Sequence, residues 1–144
     1  MGKIETYLLG IDIGTSSCKV AVFNREGLLL AKNTKHYNVY YPHEGWAEQN
    51  PEEWWAAVCN SIKEMLLNYE IAPENIAGIG VDGQSWSAVA VDKNGHVLLN
   101  TPIWMDTRAE DICRELTATI GKKEIFSCAG NSLQPFYTTA KIIW

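Results

Sequence analysis

The feature that most constrains the fold is the apolar run Tyr7–Ile13, broken only by Asp12 and followed at once by Gly14-Thr15-Ser16-Ser17. Such a run fits a buried strand, and the small polar residues behind it force a tight turn. Strand character resumes from Cys18 to Phe23, Asn24-Arg25-Glu26-Gly27 supplies a hairpin turn ending in Gly, and Leu28 to Tyr37 forms the return strand. Three antiparallel strands are therefore expected to open the chain.

The next element is announced by its start signals. Asn50-Pro51-Glu52-Glu53 offers an N-cap, a proline suited to the first helical position and an acid at the capping-box position. Trp54, Val58, Ile62, Met65, Leu66 and Tyr69 then recur at helical spacing, which predicts a helix to about Tyr69 with one buried face, ended by Ala72-Pro73-Glu74-Asn75. Ile76 to Val81 reads as a second core strand, of parallel type. Ala88 to Val91 and Val97 to Leu99 flank the turn Asp92-Lys93-Asn94-Gly95 as a hairpin. The segments starting at Val20 and Val89, VAVFNREGLLL and VAVDKNGHVLL, echo each other, and shared turn chemistry accounts for the echo without duplication. Helices are expected over Arg108 to Ile120, Lys122 to Cys128 and from Thr138 onward, separated by Gly121 and Gly130. Strands first and helices later predict an α/β fold: a mixed sheet with three leading antiparallel strands and flanking helices.

Composition excludes several functions. The 144 residues suit one domain, and 12 Lys plus Arg against 17 Asp plus Glu leave a net charge of -5, which recommends neither nucleic acid nor an anionic membrane as partner. No apolar run approaches the ~20 residues of a membrane span. Met1-Gly2-Lys3-Ile4-Glu5 lacks the pattern of a signal peptide, so a cytoplasmic location is expected. Cys18, Cys59, Cys113 and Cys128 are scattered without CxxC spacing, which disfavours zinc and a disulfide scaffold. His36, His43 and His96 lie in polar stretches and are assigned no catalysis. The ending Ile142-Ile143-Trp144 puts three large apolar side chains on a helix just begun, the expectation for a piece of a longer chain.

Four segments could carry chemistry. Gly10 to Lys19 places Asp12 at a strand end before a turn whose amides and hydroxyls could cradle a phosphate, with Lys19 adding charge and Asp12 holding a water of bound Mg²⁺. A plain hairpin turn with a surface acid is the competing reading, and the Walker spacing is absent. Trp46, in Gly45-Trp46-Ala47-Glu48-Gln49, is a core plug or a plate for a sugar face, within a segment read mainly as helix capping. Gln84, Ser85 and Trp86 follow the second core strand, where open α/β sheets bind ligands. Trp104-Met105-Asp106-Thr107-Arg108 carries an acid and a base that can bind vicinal hydroxyls together or simply pair with each other.

Taken in order, DIGTSSCK, GWAEQNPEEWW, GVDGQSWSAVAVDKNG and TPIWMDTRA resemble the N-terminal part of the FGGY carbohydrate kinase family, over nearly the whole chain from Leu8 to Trp144. The resemblance implies a ribonuclease-H-like, actin-like ATPase fold of two domains, with residues 1–144 forming the N-terminal portion of the first, sugar-binding one. It implies transfer of the γ-phosphoryl of ATP to a hydroxyl of a sugar or polyol, with ATP and Mg as cofactors and a homodimer as an admissible assembly. By position it makes Asp12 the Mg-associated catalytic acid, and Gly14, Thr15, Ser16 and Lys19 the phosphate-facing turn, with Lys19 where some members carry Arg. Gln84, Ser85, Trp86, Trp104, Asp106 and Arg108 become substrate-binding residues, and Phe136 falls near an aromatic that is Tyr in glycerol-specific members. Glycerol kinases of this family carry Arg-Glu, and xylulokinases Met-His, where this chain has Ser85-Trp86. That departure argues against glycerol, and the GxAEQNP segment favours the xylulokinase branch and a ketopentose. The family's aspartate base and most of its nucleotide site lie beyond these residues, so the chain alone is expected to be inactive. Two rivals remain at this point: a ribonuclease-H-like nuclease using Asp12, Glu48 and Asp82 around two metals, and a non-catalytic nucleotide or sugar sensor.

Overall fold

The computed structural model describes residues 6–144 as two compact units, interleaved along the chain. One comprises the described residues up to Asn38 with Glu52–Gln84, and the other Val39–Pro51 with Ser85–Trp144. The expectation that Met1–Glu5 is no leader falls outside the described residues. Among the described residues no helix is long and apolar enough to cross a membrane.

The first unit holds a four-stranded sheet in the order β3-β2-β1-β5, with β1 at Tyr7–Ile13, β2 at Ser17–Phe23, β3 at Leu29–His36 and β5 at Ile76–Gly83. β1 pairs antiparallel with β2 and β2 with β3, while β5 runs parallel to β1 with Asp12 opposite Asp82. The expected leading strands and the parallel fourth are all present. Alternation along β1 and β2 puts Leu9, Ile11, Val20 and Val22 on one face. There they form a core with Ala57, Val58 and Met65 of helix α1, Pro51–Asn68. The spacing of apolar residues predicted this helical face, except that Tyr69 lies beyond the helix and is exposed. One expectation needs correcting: β5 is a strand but not a core strand, because it occupies the sheet edge and leaves Ile79 and Val81 exposed.

The echoing segments contain the same turn. Asn24 Oδ1 accepts the backbone N–H groups of Glu26 and Leu28, and Asp92 Oδ1 accepts those of Asn94 and His96. Gly27 and Gly95 both take a positive φ, 81° and 85°, which closes each loop at low steric cost. Yet only the first turn leads into a ladder. The second supports only the isolated bridge Val91–Val97, flanked by Leu98 N–H to Ala90 O and Asp92 N–H to His96 O, so the expected hairpin over Ala88–Leu99 is not a strand pair.

The second unit contains a small sheet that the sequence did not announce, β4 at Glu48–Gln49 antiparallel to β6 at Thr101–Pro102. Helices follow at α2, Glu110–Ile120, α3, Lys122–Ala129, and α4, Thr138–Ile143. α2 starts two residues later than expected because Asp106 Oδ1 accepts the Arg108 N–H, holding 106–108 in a side-chain-closed turn. α4 buries Ala140 and Lys141 and leaves Ile142, Ile143 and Trp144 exposed.

Candidate functional site

In the first unit, the candidate phosphate turn joins β1 to β2. Gly14 N–H donates to Ser17 O at 3.0 Å, so an amide expected to be open is spent in closing the turn. The Tyr37 hydroxyl donates to Gly14 O, and Tyr37 N–H reaches Ser16 O at 3.5 Å, so the residue just past β3 braces the turn from outside. Burial pushes the Tyr37 phenol well above its ordinary range, with the thiol of Cys18 and the carboxylate of Asp12 adding to the shift, so it stays a neutral donor. Burial likewise raises the Cys18 thiol, which keeps it an inert core residue. Asp12 and Lys19 form an ion pair at 3.1 Å across the β1–β2 ladder, with 47% and 59% of their side-chain surfaces exposed. A Cβ at Gly14 would lie 3.3 Å from Ser17 O, 3.8 Å from Asp12 Oδ1 and 4.0 Å from Lys19 Nζ. The glycine therefore keeps a side chain out of a space bordered by a carbonyl oxygen, an acid and a base, a set of groups suited to a cation and the phosphate it accompanies. Gln84, at the end of the unit, continues the parallel register through its N–H to Ile13 O at 2.8 Å.

The second unit brings together segments the sequence kept apart. Ala47 N–H donates to Asp106 Oδ2 at 2.7 Å, and Ile103 N–H to Ala47 O at 3.0 Å. Arg108 donates to both Asp106 oxygens at 2.7–2.9 Å and to Glu48 Oε1 at 2.7 Å. Side-chain exposure falls to 2% for Arg108, 0% for Asp106 and 14% for Glu48. The guanidinium lies 3.8 Å from the Trp46 ring centroid and 4.9 Å from that of Trp144. Burial works against its charge, but the hydrogen bonds it donates to Asp106 and Glu48 outweigh that and hold its pKa above the ordinary value. Of the two readings open for Asp106 and Arg108, the geometry selects internal pairing, since both carboxylate oxygens are already engaged. Trp46, edge-on to His43 and Trp144 and under the guanidinium, is the packed plug. Glu48, read as part of a capping segment, is an ion-pair partner instead.

Trp86 is different in kind. It is a bulky residue with φ 65°, a left-handed conformation that costs ~1–3 kcal/mol and persists only when its surroundings enforce it. Its ring meets Phe136 at 5.5 Å and Tyr137 at 5.1 Å, and Phe136 meets Tyr137 at 4.9 Å. Trp86 and Trp104 both remain partly exposed. An open cavity of about 280 Å³ runs beside this cluster, lined by Trp86, Asn131, Ser132 and Tyr137 among others. Two residues here escaped the sequence reading. Tyr137 completes the aromatic cluster, and Lys141 donates from its buried Nζ to Trp86 O at 3.0 Å and to Ile103 O at 2.7 Å. Burial draws the Lys141 amine down to about 8, with Asp106 opposing and Arg108 reinforcing the shift.

A nuclease-type metal cluster finds no support in this arrangement. Asp12 and Asp82 are register partners, but Glu48 is engaged by Arg108, and among the described residues no three His, Cys, Asp or Glu side chains gather as ligands.

Over residues 7–144 the sequence matches the N-terminal domain of the FGGY family of carbohydrate kinases. The chain belongs to that family. It is 32% identical over 141 residues to a glycerol kinase of Carboxydothermus hydrogenoformans, covering 97% of this chain and 28% of the relative. It is 36% identical over 140 residues to a glycerol kinase of Borrelia duttonii, covering 96% and 28%. Among solved structures, a "xyloylose kinase" from Brucella ovis superimposes with a TM-score of 0.87 at 30% identity, covering 94% of this chain and 28% of that one. A xylulose kinase from Rhodospirillum rubrum gives 0.86 at 28% identity, with 96% and 28% covered. The fold is thus the actin-like ATPase fold of the FGGY sugar kinases, and the chain spans 28% of the length of each of these relatives. The comparisons include both glycerol and xylulose kinases, so membership of the family leaves the acceptor open.

Proposed function

We propose that this chain is the N-terminal part of a cytoplasmic, ATP-dependent kinase that phosphorylates a hydroxyl of a small sugar, a ketopentose such as xylulose. The observation carrying the substrate reading is the cluster of Trp86, Phe136 and Tyr137 beside a polar-edged cavity, with no charged side chain at positions 85 and 86. Aromatic faces suit the C–H surface of a sugar, and Ser85 adds a hydrogen-bonding group. Trp86 and Trp104 take the part of sugar-contacting rings. Asp106 and Arg108 act one step back, bracing the segment that carries Trp104.

In the first unit, Gly14 admits a phosphate oxygen to the turn, Thr15 and Ser16 offer hydroxyls, and Lys19 offers a cation. Asp12 would hold Mg²⁺ directly or through a water. Bound Mg²⁺ supplies neutralisation of charge on the transferring phosphoryl oxygens. For a phosphate to approach, Lys19 exchanges its hydrogen bond with Asp12 for one with the incoming anion, which the exposure of this pair permits. Transfer then depends mainly on positioning and on excluding water.

A second acceptor, glycerol, is favoured by the identity to curated glycerol kinases. The deciding experiment measures ADP release by the full-length gene product with Mg·ATP against ketopentoses, aldoses, glycerol and a no-sugar control. Stimulation by a ketopentose is expected, stimulation by glycerol alone would replace the substrate reading, and sugar-independent release or none would overturn the kinase reading.

A further inference from the structure

Lys141 is the most buried ammonium group of the second unit, yet its hydrogen-bond partners are two backbone carbonyls rather than a carboxylate. A buried charge is costly unless its donors are satisfied, and a methionine or leucine would fill the same space without that cost. What a hydrocarbon could not do is join two chain segments at the level of their backbones. Trp86 O and Ile103 O both lie within 3.0 Å of Nζ. One belongs to the left-handed residue whose ring meets Phe136 and Tyr137, and the other immediately precedes Trp104. The compact, three-donor ammonium suits two converging carbonyls better than the planar guanidinium of arginine would.

We propose that Lys141 is a positioning residue for the acceptor site, a tether that clamps the Trp86 and Ile103 carbonyls and so fixes the backbones bearing Trp86 and Trp104. The inference rests on the sugar-kinase reading given above, because it assigns those two rings to the acceptor. α4 thereby contributes to recognition through its one inward-facing polar side chain, without touching the sugar. Without the tether, the positive φ at Trp86 loses a contact that enforces it, and the residue relaxes toward ordinary backbone conformations.

The test uses the full-length gene product with Lys141→Met, and Lys141→Gln as a milder variant that retains a donor but cannot span both carbonyls. Amide hydrogen exchange is followed without substrates, and KM for sugar and for ATP is measured separately. Both variants should speed exchange at 86–88 and 104–106 by roughly tenfold while α1 is unchanged. The sugar KM should rise roughly tenfold with the ATP KM within about twofold. Unchanged exchange at the two segments, acceleration spread evenly over the chain, or equal rises in both KM values would overturn the tether. If Lys141→Met does not fold, Lys141→Gln decides by the same criteria. If the wild-type protein shows no sugar-stimulated ADP release, the kinase reading has failed, and the exchange data still judge the clamp by itself.

Discussion

Two carboxylate–cation pairs, one in each unit, use the same chemistry for opposite ends. Asp12 and Lys19 meet through one hydrogen bond with about half of each side chain in solvent. Asp106 and Arg108 meet through several, with Glu48 as third member, two tryptophans against the guanidinium, and almost no exposure. An exposed pair contributes little to stability and is free to exchange partners, whereas a buried pair becomes indispensable once formed, since removing one member strands the other. The contrast separates a place where chemistry can happen from a place that holds the chain in shape.

The sharpest way to break the comparison is Asp106→Ala, which leaves Arg108 with Glu48 alone and Ala47 N–H without its acceptor. It should cost ~3–5 kcal/mol in urea unfolding, and a loss below about 1 kcal/mol would show that the pair is not the brace described. Asp12→Asn should do the reverse. Phosphoryl transfer by the full-length product should fall on the order of 10²-fold while the unfolding midpoint barely moves, and near-normal turnover by the folded variant would remove Asp12 from the phosphate site. A smaller effect follows from Lys141, whose amine sits at about 8 in the fold against an ordinary value of 10.5. Between those values the unfolded chain binds more protons than the folded one, so this group makes stability rise with pH across that window. Thermal unfolding of wild type minus Lys141→Met should show that rise, and a flat difference would contradict it. The smallest effect is the coupling of Asp12 with Lys19 in a double-mutant cycle of Asp12→Asn and Lys19→Met, expected under about 1 kcal/mol.

Much of the fold was legible because its signals are local. The turn Asn24–Gly27 and the start at Asn50-Pro51 declare themselves within a few residues, and β1, β2, β3 and α1 appear where those signals put them. The identical turn at Asp92–Gly95 shows the limit, since turn chemistry closes a loop but a ladder also needs flanking segments that can be buried. β4 and β6 were invisible for a related reason: two residues each, paired across more than fifty positions, leave no periodicity to read. For the site, Asp106 and Arg108 were picked out as a pair, but only the converging Glu48 and Ala47 decide between bracing and binding. Lys141 was missed because it stands beside Ile142, Ile143 and Trp144, and the apolar residues of α4 look like its buried face. The structure reverses that order, with the lysine inside and the hydrophobic side chains outside.

The position of β5 at the sheet edge has a practical side. Its outer row of N–H and C=O groups, with Ile79 and Val81 exposed beside it, is an open template for strand addition, and no proline or lysine on the strand blunts it. A sample of these 144 residues would therefore tend to self-associate at high concentration through β5, and turbidity in such a sample would report on an uncapped edge rather than on failure of the sequence to fold.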